Sequence, residues 1–580
     1  MPPKPPRMGG GGANSLNSPD SAPNSDFDGD KNENTWTEPT YKTFEDYFID
    51  YFNWPSEMYS VDQTTGKKTL NYVGIYRKTT ADGVNICYNS TVFTTITHED
   101  FSGSGTLSDP YIIGSVKGLW YFMNPNLSQI SFVGQYIKLG CDIVMNDETF
   151  DANGNPRGGD GIVYSWTYFH HGKLENLYFD GDNHFISGLY HRNENGQFMS
   201  LFGGLHLTEI KNLTMTNYFI LGDRYVATFT YNSIVIDNCV AQNGYLYSTL
   251  GSVGGIAVNG TKITNSKNYS YIYSGKDIAG GITASHSASS NTMLIENCVN
   301  YGEVRVANAF AGGISGVPQR LSVIKNCVNY GAVTGKTFLG GICCANHRDY
   351  GKDISYCENY GDIYCSGSGV YVGGILGWSN ITASISHCKS FGNIANATNG
   401  TIYFGAFIGA VTDGGNVTVS DCEVDAIQSQ RVSLFGIVSN STLNVTNIKA
   451  KIKGENQFIG VFGYLGNADC TLKNIECILE TTASTRYCYF VQDYRGTNNI
   501  SIDTMIVQTN ASNFRQKQQL QGQSVKSFIM NNVYFGSDVS GFNLDWKTGK
   551  LGFGRNKNNM FQRKVTEQWL QNQGYTKYEI

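Results

Sequence analysis

The chain has 580 residues, a formal net charge of −6 and only 16% charged residues. It contains no Lys/Arg cluster that could neutralise a run of phosphates, so nucleic acid is not an expected partner. Its 67 Gly, 37 Tyr, 31 Phe and only 12 Pro are typical of strands and turns and favour an all-β fold. No run of eighteen apolar residues occurs, so the sequence predicts no membrane-spanning helix.

Residues 1–40 are rich in Pro, Gly, Ser, Asn and Asp. Such a segment cannot bury enough apolar surface to offset the cost of ordering it, so we predict a flexible arm. The arm is either an inert tail or a tether to a larger assembly. It shows no apolar segment after its basic residues, so no secretory signal is expected. The motif DFDGDKNEN at 26 resembles a calcium loop but lacks the turn glycine and the bidentate glutamate, so no metal is predicted there.

The next segment, YKTFEDYFIDYFNW at 41, has aromatic residues at i, i+4, i+7 and i+8. This spacing indicates a helix that ends before Pro55. Alternating residues at 70–76 and 91–97 favour short strands. We therefore predict a small capping or docking module over residues 41–102.

An internal repeat of about thirty residues is the strongest pattern in the chain. The phrase NCVNYGEVRV at 297 recurs as NCVNYGAVTG at 326, YCENYGDIYC at 356 and HCKSFGNIAN at 387, and GGISG at 312 recurs as GGICC at 340 and GGILG at 373. One unit cannot bury its own apolar face, so each strand must pair in parallel with its copy one turn away. The sequence predicts a right-handed parallel β-helix over 103–523, clearest over 238–425. Its Gly-Gly pairs are expected to supply left-handed φ angles or tight corners.

Strand alternation in NCVNYGEVRV places the cysteine and the valines of VRV inside the coil, and the tyrosine, glutamate and arginine outside. The outer aromatic row is a candidate binding surface on which sugar rings could lie. Its members are Tyr301, Tyr330, Tyr360 and Phe391. The alternative is that the row only covers a corner between strands.

The buried side of the repeat has two further expected columns. Asn300, Asn329 and Asn359 are predicted to stack and share amide hydrogen bonds between turns. Most of the fourteen cysteines fall once per turn at an inward position, which small apolar core residues occupy. No CxxC pair occurs, so we predict buried free thiols and no structural zinc, and we expect neither a metal nor a cofactor.

These phrases resemble the GLUG repeat of bacterial surface adhesins and of large secreted proteins of gut bacteria. The segments GSGTLSDPYII at 103, GQYIKLGCDIVMN at 134 and LYFDGDNHFISGLY at 177 resemble the module that opens such solenoids. The family's turn phrase is matched by Asp180, Gly181, Asp182, His184, Ile186, Gly188 and Leu189. The resemblance covers about 103–425 and implies a parallel β-helix, and more weakly a role in adhesion or recognition.

Family members normally carry a secretion signal or a cell-wall anchor, which this sequence does not show. By analogy, a β-helical rod with a flexible arm suits a phage virion appendage made in the host cytoplasm, in which the arm binds other virion proteins and the rod reaches a host cell or glycan. A bacterial surface or secreted adhesin and a purely architectural virion decoration stay open as alternatives. Residues 524–580 are predicted to cap the last turn, and a homo-oligomer, dimer or trimer, is an open alternative to a monomer.

A polysaccharide hydrolase or lyase is the rival hypothesis from another class. Such an enzyme needs carboxylates that converge from neighbouring turns, about 5 to 9.5 Å apart for hydrolysis. The candidate pairs are Asp349 with Asp353, Glu358 with Asp362, Asp413 with Asp421, and Asp180 with Asp182. The last pair belongs to the turn phrase, where a hydrogen-bonding role is expected, and His184 is expected to be a partnered ladder residue. No catalytic residue is predicted, and binding ranks above catalysis.

Overall fold

The fold is described from a computed structural model of the chain. The described residues are 59–66, 68–70, 75–79, 85–89, 101–123, 132–146, 149–157, 162–163, 166, 175–284, 293–318, 322–346, 352–367, 371–396, 404–428, 432–454, 458–481, 487–509, 513–515 and 525–536. The predicted arm, the helix predicted at 41–54 and the strand predicted at 91–97 lie outside these ranges. The strand predicted at 70–76 overlaps Lys68–Leu70 and Ile75–Thr79.

The regular elements in the described part of the chain are strands, apart from one helix, α1, over Val116–Met123. No helix in the described part of the chain is long and apolar enough to cross a bilayer. The strands, β1 to β52 in chain order, are Tyr59–Val61, Lys68–Leu70, Ile75–Thr79, Asn85–Asn89, Phe101–Ser102, Tyr111–Ile113, Tyr136–Leu139, Ile143–Val144, Thr149–Phe150, Pro156–Arg157, Ile162–Val163, Tyr178–Asp180, Phe185–Ser187, Tyr190–Arg192, Phe198–Met199, His206–Lys211, Thr214–Gly222, Tyr225–Ala227, Thr230–Asp237, Val240–Ser248, Ser252–Gly254, Ala257–Thr264, Lys267–Asn268, Tyr271–Ser274, Ile278–Gly280, Met293–Glu296, Val299–Asn300, Val304–Val306, Phe310–Gly312, Ser322–Lys325, Val328–Asn329, Val333–Gly335, Phe338–Gly340, Cys343–Asn346, Lys352–Ser355, Glu358–Asn359, Ile363–Cys365, Tyr371–Gly373, Leu376–Ser379, Thr382–Ser386, Lys389–Ser390, Ile394–Asn396, Phe404–Thr412, Asn416–Gln428, Val432–Ser439, Thr442–Gly454, Phe458–Gly466, Asp469–Thr481, Tyr487–Arg495, Asn498–Thr509, Asn513–Arg515 and Val525–Gly536.

The chain forms two compact units. The first comprises Met1–Arg192, Leu205–Ile220 and Asn243–Tyr245, and the second comprises Asn193–Gly204, Leu221–Gln242 and Leu246–Ile580. In the first unit β7, β12 and β16 pair in parallel, so that Ile137, Phe179 and Ile210 lie in one buried column.

In the second unit, successive turns pair in parallel and in register. Strands β26, β30, β35 and β40 place four isoleucines in one buried column, Ile295, Ile324, Ile354 and Ile385. The same pairing continues at the carboxyl side, where Val525–Gly536 runs parallel to Asn498–Thr509. The predicted fold class is confirmed as an all-β parallel β-solenoid with stacked coils, and its right-handed sense stays a prediction.

Strand alternation within the repeat is confirmed. Cys298, Val304 and Val306 are buried, whereas Tyr301 is 43% exposed. The side chains of twelve of the fourteen cysteines are described, all as free thiols, and eleven of these are buried. Burial raises the pKa of Cys298 well above its ordinary value, because a thiolate is poorly solvated inside the coil. The described ladder cysteines are therefore part of the buried core.

A buried ladder of asparagine amides joins the turns, as predicted. Nδ2 of Asn268 donates to Oδ1 of Asn300, Asn300 to Asn329, and Asn329 to Asn359, each at 2.8 Å. The same Nδ2 atoms also donate within their own turns, for example from Asn329 to the Gly331 carbonyl at 2.9 Å. All four side chains are 0% exposed. Each amide thus fixes its own turn and the axial position of the next.

The expectation that Gly-Gly pairs supply left-handed φ is wrong. Left-handed φ instead falls on the residue before each ladder cysteine, such as Asn297 at 56° and Asn326 at 53°. The glycines are required by close approach, because a Cβ on Gly313 would overlap both the Gly341 carbonyl oxygen and the Asn329 side chain. The Gly-Gly pairs therefore serve the other expected role, that of tight corners, because no side chain fits there.

Replacing Asn329 by Ala should remove three buried amide hydrogen bonds and leave the Asn359 Oδ1 without its axial donor. We expect a loss of roughly 2–4 kcal/mol in the free energy of unfolding, measured by chemical denaturation. Asn326→Gly is the matched control, because it removes an exposed axial amide bond and glycine accepts the left-handed φ. Equal losses from the two variants would contradict a special role for the buried ladder.

Candidate functional site

The four predicted aromatic residues form one continuous stack, and Tyr269 extends it by a further turn. Ring centroids lie 4.4 Å apart between Tyr269 and Tyr301, 5.0 Å between Tyr301 and Tyr330, 5.1 Å between Tyr330 and Tyr360, and 5.2 Å between Tyr360 and Phe391. The four tyrosine rings are parallel within 3° to 11°, and Phe391 is tilted by 34°. We call these five residues the tyrosine stack.

Backbone geometry fixes each tyrosine at an outer corner of the coil. The Tyr330 N–H donates to the Asn300 carbonyl of the preceding turn at 2.7 Å. The next residue, Gly331, cannot carry a side chain, since a Cβ there would overlap the Gly302 carbonyl oxygen. The sequence Asn-Tyr-Gly therefore places a ring at the same outward position in consecutive turns.

The tyrosines of the stack are exposed, but through their edges. The exposed fractions are 43% for Tyr269, 43% for Tyr301, 48% for Tyr330 and 39% for Tyr360. Parallel rings at this spacing cover one another's faces, so the solvent meets ring edges and hydroxyl groups. A sugar ring therefore cannot lie flat between these tyrosines, and the stack instead offers a row of phenol edges repeated once per turn.

An ion pair borders the stack at Tyr360. Its hydroxyl donates to Glu358 Oε2 at 2.6 Å, and Glu358 Oε1 lies 2.9 Å from Lys389 Nζ. The hydrogen bond to the carboxylate raises the pKa of Tyr360 to about 12. The pKa of Glu358 is lowered, mainly by the hydrogen bond from Tyr360 and also by the hydrogen bond and positive charge of Lys389. The phenol thus stays protonated and oriented by its neighbour.

A second, shorter stack lies in the same two turns. Tyr356 and His387 have ring centroids 4.5 Å apart at 11°, and both adopt φ of 54°, a region that bulky residues rarely occupy. Neighbouring turns place Asn297 and Asn326 at this position. This pair was not predicted from the sequence, although the residue before the cysteine departs from Asn in YCENYG and HCKSFG.

The carboxylate pairs considered for catalysis are used in structural contacts. Asp180 Oδ1 accepts hydrogen bonds from the Asp182 N–H at 2.9 Å and from Asn212 Nδ2 at 3.0 Å, so the predicted hydrogen-bonding role is confirmed. His184 Nδ1 lies 3.0 Å from Asp142 Oδ1, which makes it a partnered residue as expected.

Three further candidate carboxylates have partners as well, whereas Asp353 is exposed on its strand. Asp362 Oδ1 accepts from the Asn393 N–H at 2.9 Å, and Asp421 Oδ1 accepts from Asn447 Nδ2 at 2.8 Å. Asp413 Oδ2 accepts from the Thr412 hydroxyl at 3.0 Å. Asp349 lies outside the described residues. Within the described ranges, no group of three His, Cys, Asp or Glu side chains is placed to hold a metal ion.

No protein-family model matches the chain, and no curated protein matches it. Among solved structures, the chain is similar to a crystal structure described as a putative immunoglobulin A1 protease from Bacteroides ovatus. The two are 22% identical, the match covers 51% of this chain and 78% of that chain, and the TM-score is 0.33. A likeness at this level carries no functional inference. The resemblance to the GLUG repeat stays a prediction.

The Glu358 contacts predict a pH dependence. Because the folded pKa of Glu358 is lowered, its contribution to stability is present above its unfolded pKa and is lost as the pH falls through the folded value. The carboxylate is partly solvated, so we expect less than about 1 kcal/mol. Denaturation of wild type and Glu358→Gln at pH 7 and pH 3 should show a gap at pH 7 that closes at pH 3. A gap of the same size at both pH values would exclude this ion pair as its source.

Proposed function

We propose that the chain is a recognition protein whose solenoid presents the tyrosine stack to a cell-surface glycan. The observation that carries the proposal is the exposure of four consecutive stacked phenols, each 39% to 48% exposed. A row that only sealed a corner would gain little from the phenol hydroxyls that these exposed rings carry. Phenol hydroxyls both donate and accept hydrogen bonds, which suits a polymer that displays its own hydroxyls at regular intervals.

The spacing of the stack supports an extended polysaccharide as the ligand. Phenol edges recur at the turn repeat, with ring centroids 4.4 to 5.1 Å apart. Successive sugars of an extended chain running along the axis would meet equivalent edges. Each contact is weak, and affinity would accumulate over several turns. The ligand class is therefore a repeating surface polysaccharide in preference to a single small sugar.

For biological setting, we propose a phage virion appendage, with the predicted arm at 1–40 bound to other virion proteins and the solenoid directed to the host surface. The stacked coil supports this as a stiff scaffold for attachment. A bacterial surface adhesin would use the same scaffold and the same stack. The arm, the virion location and any homo-oligomer belong to the proposal.

The test separates binding from stacking by removing hydroxyls and keeping rings. The double variant Tyr301→Phe with Tyr330→Phe preserves the aromatic stack, so its melting temperature should equal that of the wild type. Its affinity for the host's purified capsular or cell-wall polysaccharide should fall about tenfold, since each lost hydrogen bond to a neutral partner contributes roughly 0.5–1.5 kcal/mol. Binding is measured with the full-length chain on immobilised polysaccharide.

Tyr364→Phe is the matched control. Tyr364 is 48% exposed but lies outside the tyrosine stack, so its replacement should leave binding unchanged. If the double variant binds as well as wild type, while Tyr330→Ala only lowers the melting temperature, the stack is architectural and the glycan proposal is wrong.

A further inference from the structure

A buried lysine inside the coil has no partner. The Lys352 side chain is 4% exposed, and its Nζ makes no hydrogen bond in the structure. It lies inward because it shares strand parity with Ile354, a member of the buried isoleucine column. Burying an ammonium group in this way is costly unless a counter-charge or hydrogen-bond acceptors compensate it.

A second orphaned polar group lies in the preceding turn. The Ser315 hydroxyl is 0% exposed and also lacks a hydrogen-bond partner. Ser315 pairs in register with Cys343, and Cys343 is the one described side chain that interacts electrostatically with Lys352. The ammonium and the hydroxyl therefore belong to the same part of the interior.

Among the described register and electrostatic neighbours of Lys352, none supplies a negative charge. Burial raises the pKa of Cys343 to about 12, so its thiol is neutral at pH 7, and the thiol donates its hydrogen to the Ala345 carbonyl. The register neighbours of Lys352 on either side are Ser322 and Ala383, which are uncharged. Burial lowers the pKa of Lys352 to about 8, so at neutral pH most molecules still carry the positive charge.

The flanking side chains are also small. Where Lys352 stands, the preceding turn has Ser322 and the following turn has Ala383, and Ser315 is small as well. Lys352 is therefore a long side chain between two short register neighbours. The Lys352 ammonium and the Ser315 hydroxyl can both donate hydrogen bonds.

We propose that the interior of this turn binds one small monovalent anion, such as chloride, held by the Lys352 ammonium and the Ser315 hydroxyl. The anion supplies the counter-charge and satisfies both orphaned groups. A water molecule would satisfy hydrogen bonds but leave the charge uncompensated. This site is independent of the tyrosine stack and of the proposed glycan.

The test uses bromide as the probe, with the full chain refolded at pH 7 in sodium bromide or in sodium methanesulfonate of equal ionic strength. The melting temperature should rise with bromide concentration and level off, as mass action requires for a ligand of the folded state. Lys352→Met should melt at one temperature in both salts. Ser315→Ala should need a higher bromide concentration for the same rise, and the exposed Lys276→Met should respond as the wild type does.

Crystals of the wild type grown in bromide provide a second measurement that requires no variant. An anomalous scattering peak in contact with Lys352 Nζ and Ser315 Oγ would support the site. A water molecule or empty space at that position, or an equal bromide response in wild type and Lys352→Met, would overturn it.

Discussion

The structure depends on one constraint, the axial register that places each side chain on its equivalent one turn away. Backbone bonds between turns set the spacing, but they would be satisfied equally well after a slip along the strand. The buried amides remove that freedom, because Asn300 bonds both to Gly302 of its own turn and to Asn329 of the next. A slip of one residue would break this ladder and turn the isoleucine and cysteine columns toward water.

The same register determines what the outer surface can be. A residue type that recurs at one position of the repeat forms a row along the solenoid axis. Tyrosines at that position therefore stack, and charged side chains at one position lie next to each other. Where charges occur they alternate along the axis, since Glu358, Lys389, Glu423, Lys449 and Glu476 pair in turn. Like charges there would repel at each step. The repeat itself therefore orders the outer side chains, and no additional loops are needed to hold them in place.

The fold and the aromatic row could be predicted because register converts sequence identity directly into contact. Tyr269 was missed because its turn carries Ser266 in place of the ladder cysteine, which weakened the match. The role of Gly313 was misjudged because a glycine required by left-handed φ and one required by close approach look identical in sequence. Neither the covered faces of the tyrosine rings nor the unpartnered Lys352 could be predicted. Both follow from distances between side chains of different turns, which the spacing of residues in the sequence does not give.

Two departures from like-on-like stacking lie in one turn. Inside it, Lys352 stands between Ser322 and Ala383. Outside it, Tyr356 takes a left-handed position that asparagine fills in neighbouring turns, and stacks on His387. Stability alone would favour an apolar residue at the first position and asparagine at the second, since each present choice has a cost. Residues that oppose local stability tend to mark function, and the two departures at Lys352 and Tyr356 agree in this respect with the anion site that we propose for this turn.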